Sequence, residues 1–198
     1  MHLSDLNTNT KSIQQQKFSN AAKASEKKRP LEYMSVTMPV SLVSNALEAT
    51  FASQSPEAAA FFHHLQQTNR VQNEFHVTLM HRASASQHPD LWARYSQMHA
   101  GAGGAQNKLG ICKVLLERVV WDDRLMAIVV RLVDEEWQCV NAVAHITVGT
   151  RSPDVKPKES NDLLKRWLEV GSDGTGIGEA GIEGRVIIEG VVNGVLSR

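Results

Sequence analysis

His76-Val77-Thr78-Leu79-Met80-His81-Arg82 and His145-Ile146-Thr147-Val148-Gly149-Thr150-Arg151 are two copies of one pattern. Each reads His, β-branched apolar, Thr, apolar, two variable positions, Arg. Side chains alternate faces along a strand, so His76, Thr78, Met80 and Arg82 are expected to share one face, and His145, Thr147, Gly149 and Arg151 another. The apolar partners are then buried behind them, and two His-x-Thr pairs point into one cleft.

Two histidines and two threonines in a shared cleft suggest a specific chemistry. With an unperturbed pKa near 6.5, one imidazole can be neutral while the other is protonated. One serves as base and the other as acid, which suits opening of a phosphodiester without a metal or cofactor: the base takes a proton from water and the acid protonates the departing ribose oxygen. The threonine hydroxyls donate to non-bridging oxygens where negative charge grows. Strand parity adds Arg82 and Arg151 as charges at the rim.

The chain has 198 residues, 42% hydrophobic and 21% charged, enough for one domain with a real core and a tail. Its net charge is zero, so no chain-wide positive field holds long nucleic acid, and any such contact is expected to be short and local. Residues 1–29, rich in Ser, Asn, Gln, Lys and Ala and ending in Glu26-Lys27-Lys28-Arg29, read as a flexible linker or leader. Residues 30–198 read as the folded domain. Cys112 and Cys139 lack any CxxC or metal-type partner and read as free, buried thiols of a reducing compartment. No apolar leader or membrane-length stretch occurs, and the expectation is an intracellular monomer away from membranes, in the cytoplasm, the nucleus or both.

In chain order, the patterns predict a strand over 32–38, helices over 41–51 and 56–68, the first motif strand over 73–82, and a helix opened by His88-Pro89-Asp90 and running to about 99. Gly101 to Asn107 reads as a flexible loop. β-branched runs over 109–120 and 125–133 flank a turn at 121–124, and 142–149 carries the second motif. A helix over 159–170 follows, capped by Ser160 or else offering free amides and Lys156 to an RNA phosphate. A glycine-rich loop at 171–181 leads to two closing strands that turn at Asn193-Gly194. Strands in clusters with helices between make the class α+β, and the repeated heptad hints at two similar lobes.

The paired motifs His76-Val77-Thr78-Leu79 and His145-Ile146-Thr147-Val148 resemble the two signatures of the two-histidine (2H) phosphoesterase superfamily. More closely, HVTLMHRASASQHPDLW, LERVVWDDRLMAIVVRL, HITVGT and KPKESNDLL resemble the C-terminal cyclic phosphodiesterase domain of fungal tRNA ligase, across roughly residues 31–198. The resemblance implies a bilobal fold, with two antiparallel sheets facing a central cleft and helices on the outside. It implies hydrolysis of an RNA 2′,3′-cyclic phosphate, as on a tRNA exon end, to a 2′-phosphate and a 3′-hydroxyl. It makes His145 the base for water, His76 the acid for the 3′-oxygen, and Thr78 and Thr147 the phosphate donors. The partners implied are the kinase and ligase domains of the same larger polypeptide. Neither a GxxxxGK[ST] loop nor a Lys-x-x-Gly motif is present, so this chain is not expected to phosphorylate or seal RNA by itself.

Tyr33 and the tryptophans Trp92, Trp121, Trp137 and Trp167 are candidate stacking surfaces for a terminal base, with core packing favoured for each tryptophan. His81 falls on the opposite strand face from His76 and reads as a core or supporting histidine. A zinc site of His76, His81 and His145 lacks an acidic or cysteine ligand at suitable spacing. Gly176-Ile177-Gly178-Glu179-Ala180-Gly181 matches GxGxxG but follows a helix and precedes a strand, the wrong context for a dinucleotide. Two alternatives stay open on the residues alone: a non-catalytic RNA-terminus binding module, and another 2H activity such as a 3′-to-5′ RNA exonuclease.

Overall fold

The structure is a computed structural model that describes residues 29–102 and 108–197. All but the last residue of the linker read over 1–29, and most of the 101–107 loop, lie outside the described residues. Six strands pair antiparallel in one closed circuit, β1-β2-β5-β4-β3-β6. They are β1 (Leu31–Met38), β2 (Phe75–His81), β3 (Lys108–Trp121), β4 (Leu125–Leu132), β5 (His145–Thr150) and β6 (Gly178–Leu196). Among the described residues four α-helices accompany them: α1 (Val40–Ala52), α2 (Pro56–Gln67), α3 (Pro89–Gly101) and α4 (Ser160–Val170). The mixed α/β class follows the expected pattern. The pairing forms a six-stranded barrel, however, where two separate sheets were expected.

The circuit is thin at one place. β2 and β5 share a single register pair, Val77 with Ile146. Both side chains are fully buried in the main core, and burying each contributes roughly 1.5–3 kcal/mol. Beyond that pair other segments satisfy the backbone of β2: Val140 N donates to Leu79 O at 2.9 Å, and Cys139 Sγ to Thr78 O at 3.2 Å. Before it, Gln72 N donates to Val148 O at 2.8 Å. The two motif strands therefore touch through one pair near their N-terminal ends, and other segments take over on either side of it.

Local chemistry explains both ends of α2. Ser55 accepts from Ala58 N at 3.3 Å, with Pro56 inside the first turn of α2. Asn69 takes a left-handed φ of 53° where that helix ends. α4 lays Leu163 and Leu164 on Val120, Leu125, Ala127 and Val129, which ties it to β3 and β4.

The C-terminal reading needs correction. Asn193-Gly194 is no turn: it lies inside the 19-residue β6, where Asn193 pairs with both Ser35 and Lys108 and its amide donates to Thr37 Oγ1 at 2.9 Å. Glycine is required at 194 by close approach, because a Cβ there would run into the His99 ring and Leu31. β6 bends instead near Gly184, at φ 76°, where its pairing with β3 shifts register. The glycine-rich loop ends earlier than expected, since Gly178 is already paired with Trp121. Both cysteines are free thiols. Burial pushes the Cys112 thiol up to about 12.

Candidate active site

A cavity of about 670 Å³ opens over the β2–β5 seam. His76, Thr78, His145 and Thr147 all line it. The reason is the single pair Val77–Ile146: continuing an antiparallel register one residue each way sets His76 across from Thr147 and Thr78 across from His145. The core takes the two central residues and the cavity takes the four reactive ones. A local two-fold relation between the motifs follows.

The two histidines are held differently. His145 is only 8% exposed, and its Nδ1 lies 2.9 Å from Val143 O. A carbonyl only accepts, so Nδ1 carries the proton and a neutral His145 presents Nε2 as a lone pair. Burial holds the His145 pKa below the ordinary value; the Val143 bond opposes this and the nearby His76 adds to the lowering. His76 is exposed to the cavity. Loss of water around it also lowers its pKa, while the Glu74 carboxylate, another cavity residue, pulls the other way.

The threonines differ too. Thr147 Oγ1 lies 2.9 Å from Ser160 Oγ and donates to Pro157 O at 3.3 Å. Thr78 is partly exposed, and its hydroxyl has no such support among the described residues.

Two β-bulges decide where the remaining candidates fall. In the β1–β2 pairing Met34 opposes Met80 but Ser35 opposes Thr78, so Leu79 is an extra residue. Parity flips there. Met80, expected on the cleft face, is fully buried, and His81, expected behind it, lines the cavity. The His81 ring stacks on Tyr33 at 6.1 Å and 11°. Its Nδ1 accepts from Ala83 N at 3.1 Å, and Nε2 faces Glu32 at 3.3 Å. Tyr33 lines the cavity as expected.

The strand ends at His81, so Arg82 starts a 3-10 turn, is exposed, and is not part of the cavity wall. In β5, Ala127 opposes Thr147 and Met126 opposes Gly149, which makes Val148 the extra residue. Arg151 lies past the strand end, where its guanidinium donates to Asp123 O at 3.0 Å, also away from the wall. Lys156 is turned back on itself, with Nζ donating to Pro153 O at 2.9 Å. Neither parity nor motif spacing anticipates these departures, because a bulge has no fixed sequence mark.

The cation that does line the cavity is Lys158, beside Asn161, Asn141, Gln72 and Glu74. Lys158, in the 3-10 turn Pro157–Glu159, and Asn161, in the first turn of α4, sit in the stretch KPKESNDLL and both line the cavity. Ser160 does not cap the helix; it is fully buried and its hydroxyl goes to Thr147. None of the four tryptophans lines the cavity. Trp137 stacks on Tyr95 and donates to Ile111 O, Trp121 meets the edge of Phe51, Trp167 donates to Glu179, and Trp92 packs on the core.

The arrangement sets an oriented, buried imidazole beside a more open one, with two hydroxyls and one ammonium on the same cavity. The chain is 34% identical over 133 residues to tRNA ligase 1 of Schizosaccharomyces pombe, a match covering 63% of this chain and 16% of that protein. The chain thus spans a small part of that relative's length. A crystal structure titled fungal RNA kinase matches the fold with a TM-score of 0.63 at 19% identity, over 92% of this chain and 52% of that one. The family model for the fungal tRNA ligase phosphodiesterase domain matches residues 2–196. The chain therefore belongs to the fungal tRNA ligase phosphodiesterase domain family.

Proposed function

We propose that this phosphodiesterase domain hydrolyses RNA 2′,3′-cyclic phosphate ends to a 2′-phosphate and a 3′-hydroxyl, the end-healing step of tRNA splicing, by two-histidine acid–base catalysis. The observation that carries the reading is the single Val77–Ile146 pair, which aims both His-x-Thr pairs into one cavity. His145 Nε2 takes a proton from water as the water oxygen attacks phosphorus. The P–O3′ bond breaks, and protonated His76 gives its proton to the 3′-oxygen. Thr78 and Thr147 donate to the non-bridging oxygens, and Lys158 offsets the phosphate charge. Tyr33, stacked on His81, offers a face for the terminal base.

The chain acts as one part of a larger tRNA ligase polypeptide with kinase and ligase activities, as a monomer, in the cytoplasm, the nucleus or both. The two-lobed description belongs to this proposal as well: the β2–β5 seam is where two halves meet over the substrate.

The test is incubation with a short RNA ending in a 2′,3′-cyclic phosphate, in excess chelator, with the product identified by phosphate position. A 2′-phosphate is expected. A 3′-phosphate would reverse the leaving group, and tight binding without turnover would favour a terminus-binding module.

A further inference from the structure

Ser160 is fully buried, unusual for a hydroxyl, and Thr147 is its one side-chain partner among the described residues. Two proton arrangements are open to the pair. If Thr147 donated to Ser160, the Ser160 proton would be left buried without an acceptor. If Ser160 donates to Thr147 Oγ1, the Thr147 proton goes to Pro157 O, and both hydroxyls are satisfied. The second arrangement is favoured. It also leaves Thr147 holding its proton only by a long 3.3 Å bond.

We propose that Ser160 is a positioning residue for the phosphate contact of Thr147: it donates to Thr147 Oγ1, fixes the rotamer, and frees the threonine proton to turn from Pro157 O to a phosphate oxygen. A hydroxyl that accepts one hydrogen bond is a stronger donor in the next, so the chain Ser160–Thr147–phosphate strengthens as charge builds on the phosphate. Among the described residues Thr78 has no counterpart to this chain. The inference rests on the functional reading above and adds a residue that neither motif contains.

A double-mutant cycle on cyclic-phosphate hydrolysis tests it. Ser160→Ala is expected to lower kcat about tenfold, the worth of one hydrogen bond, with KM little changed. In a Thr147→Ala background Ser160→Ala should cost nothing further, whereas in a Thr78→Ala background it should cost the full factor. An equal loss in both backgrounds, or no loss in the parent, would overturn the proposal. Should Ser160→Ala fail to fold, Ser160→Cys keeps the volume with a weak donor and is expected to show the same background dependence. The parent protein in the same assay separates the two ideas: no cyclic-phosphate turnover refutes the functional reading, while turnover with an additive cycle refutes only the role of Ser160.

Discussion

The two His-x-Thr motifs have nearly the same letters and are built into different surroundings. The second is buttressed: His145 is buried and oriented by Val143 O, and Thr147 is held by Ser160 and Pro157 O. The first is open: His76 faces the cavity with Glu74 beside it, and Thr78 keeps a free hydroxyl among the described residues. A base for water gains from a fixed tautomer and a fixed lone pair. An acid that must follow a leaving ribose oxygen gains from room and a nearby carboxylate. The asymmetry supports His145 as base and His76 as acid.

The sharpest way to break the comparison is to remove each histidine. His145→Ala and His76→Ala should each cost on the order of 10² to 10⁴ in kcat with folding retained, read by turnover and far-UV circular dichroism. A substrate with an activated leaving group should restore His76→Ala far more than His145→Ala, since only the acid becomes dispensable. Equal rescue would erase the assigned difference.

Next come the threonines. Thr147→Ala and Thr78→Ala should lower kcat by roughly 10 to 1,000-fold, as for a lost oxyanion donor, with the preoriented Thr147 at the higher end.

Third is charge. Lys158→Ala should raise KM by about tenfold, the scale of one charge-assisted bond, while Arg82→Ala and Arg151→Ala stay within about fivefold of the parent. A large effect at Arg151 and none at Lys158 would mean that the substrate approaches along a different wall.

The smallest effect is on pH. Both histidines titrate below 6.5 in the folded protein, chiefly because they are desolvated. The kcat/KM profile should therefore be a bell centred on the acid side of 6.5, and Glu74→Gln should move its alkaline limb to lower pH. For stability the sign is equally defined: the unfolded chain binds these protons first as pH falls through 6.5, so stability is complete above that value and declines below it.

Much of this was legible in the residues. The paired motifs gave the four reactive side chains because an antiparallel pair of strands with apolar centres leaves little choice of face. Ser55-Pro56-Glu57 marked a helix start by local chemistry alone. Other features were not legible. The extra residues Leu79 and Val148 interrupt the alternation without any sequence mark; the first buries Met80 and brings His81 forward, while the strand ends at His81 and Thr150 leave Arg82 and Arg151 off the wall. Asn193-Gly194 has the letters of a hairpin turn, yet glycine is there to admit the His99 ring. Ser160 reads as a cap until the packing of α4 on β3 and β4 brings it to Thr147. Local signals decided what tertiary contact did not override.

The closing of the barrel by its last strand also sets an order of assembly. β1, the first strand described, takes β6 as one of its two neighbours, with Leu31 paired to Leu196. Both motif strands leave a ribosome well before β6 does. Until β6 arrives, β1 and β3 each lack a neighbour, and the sheet cannot close around the cavity. Pairings this distant along the chain slow folding toward the millisecond-to-second range. A nascent chain therefore holds all four cavity side chains before β6 is there to close the barrel around them.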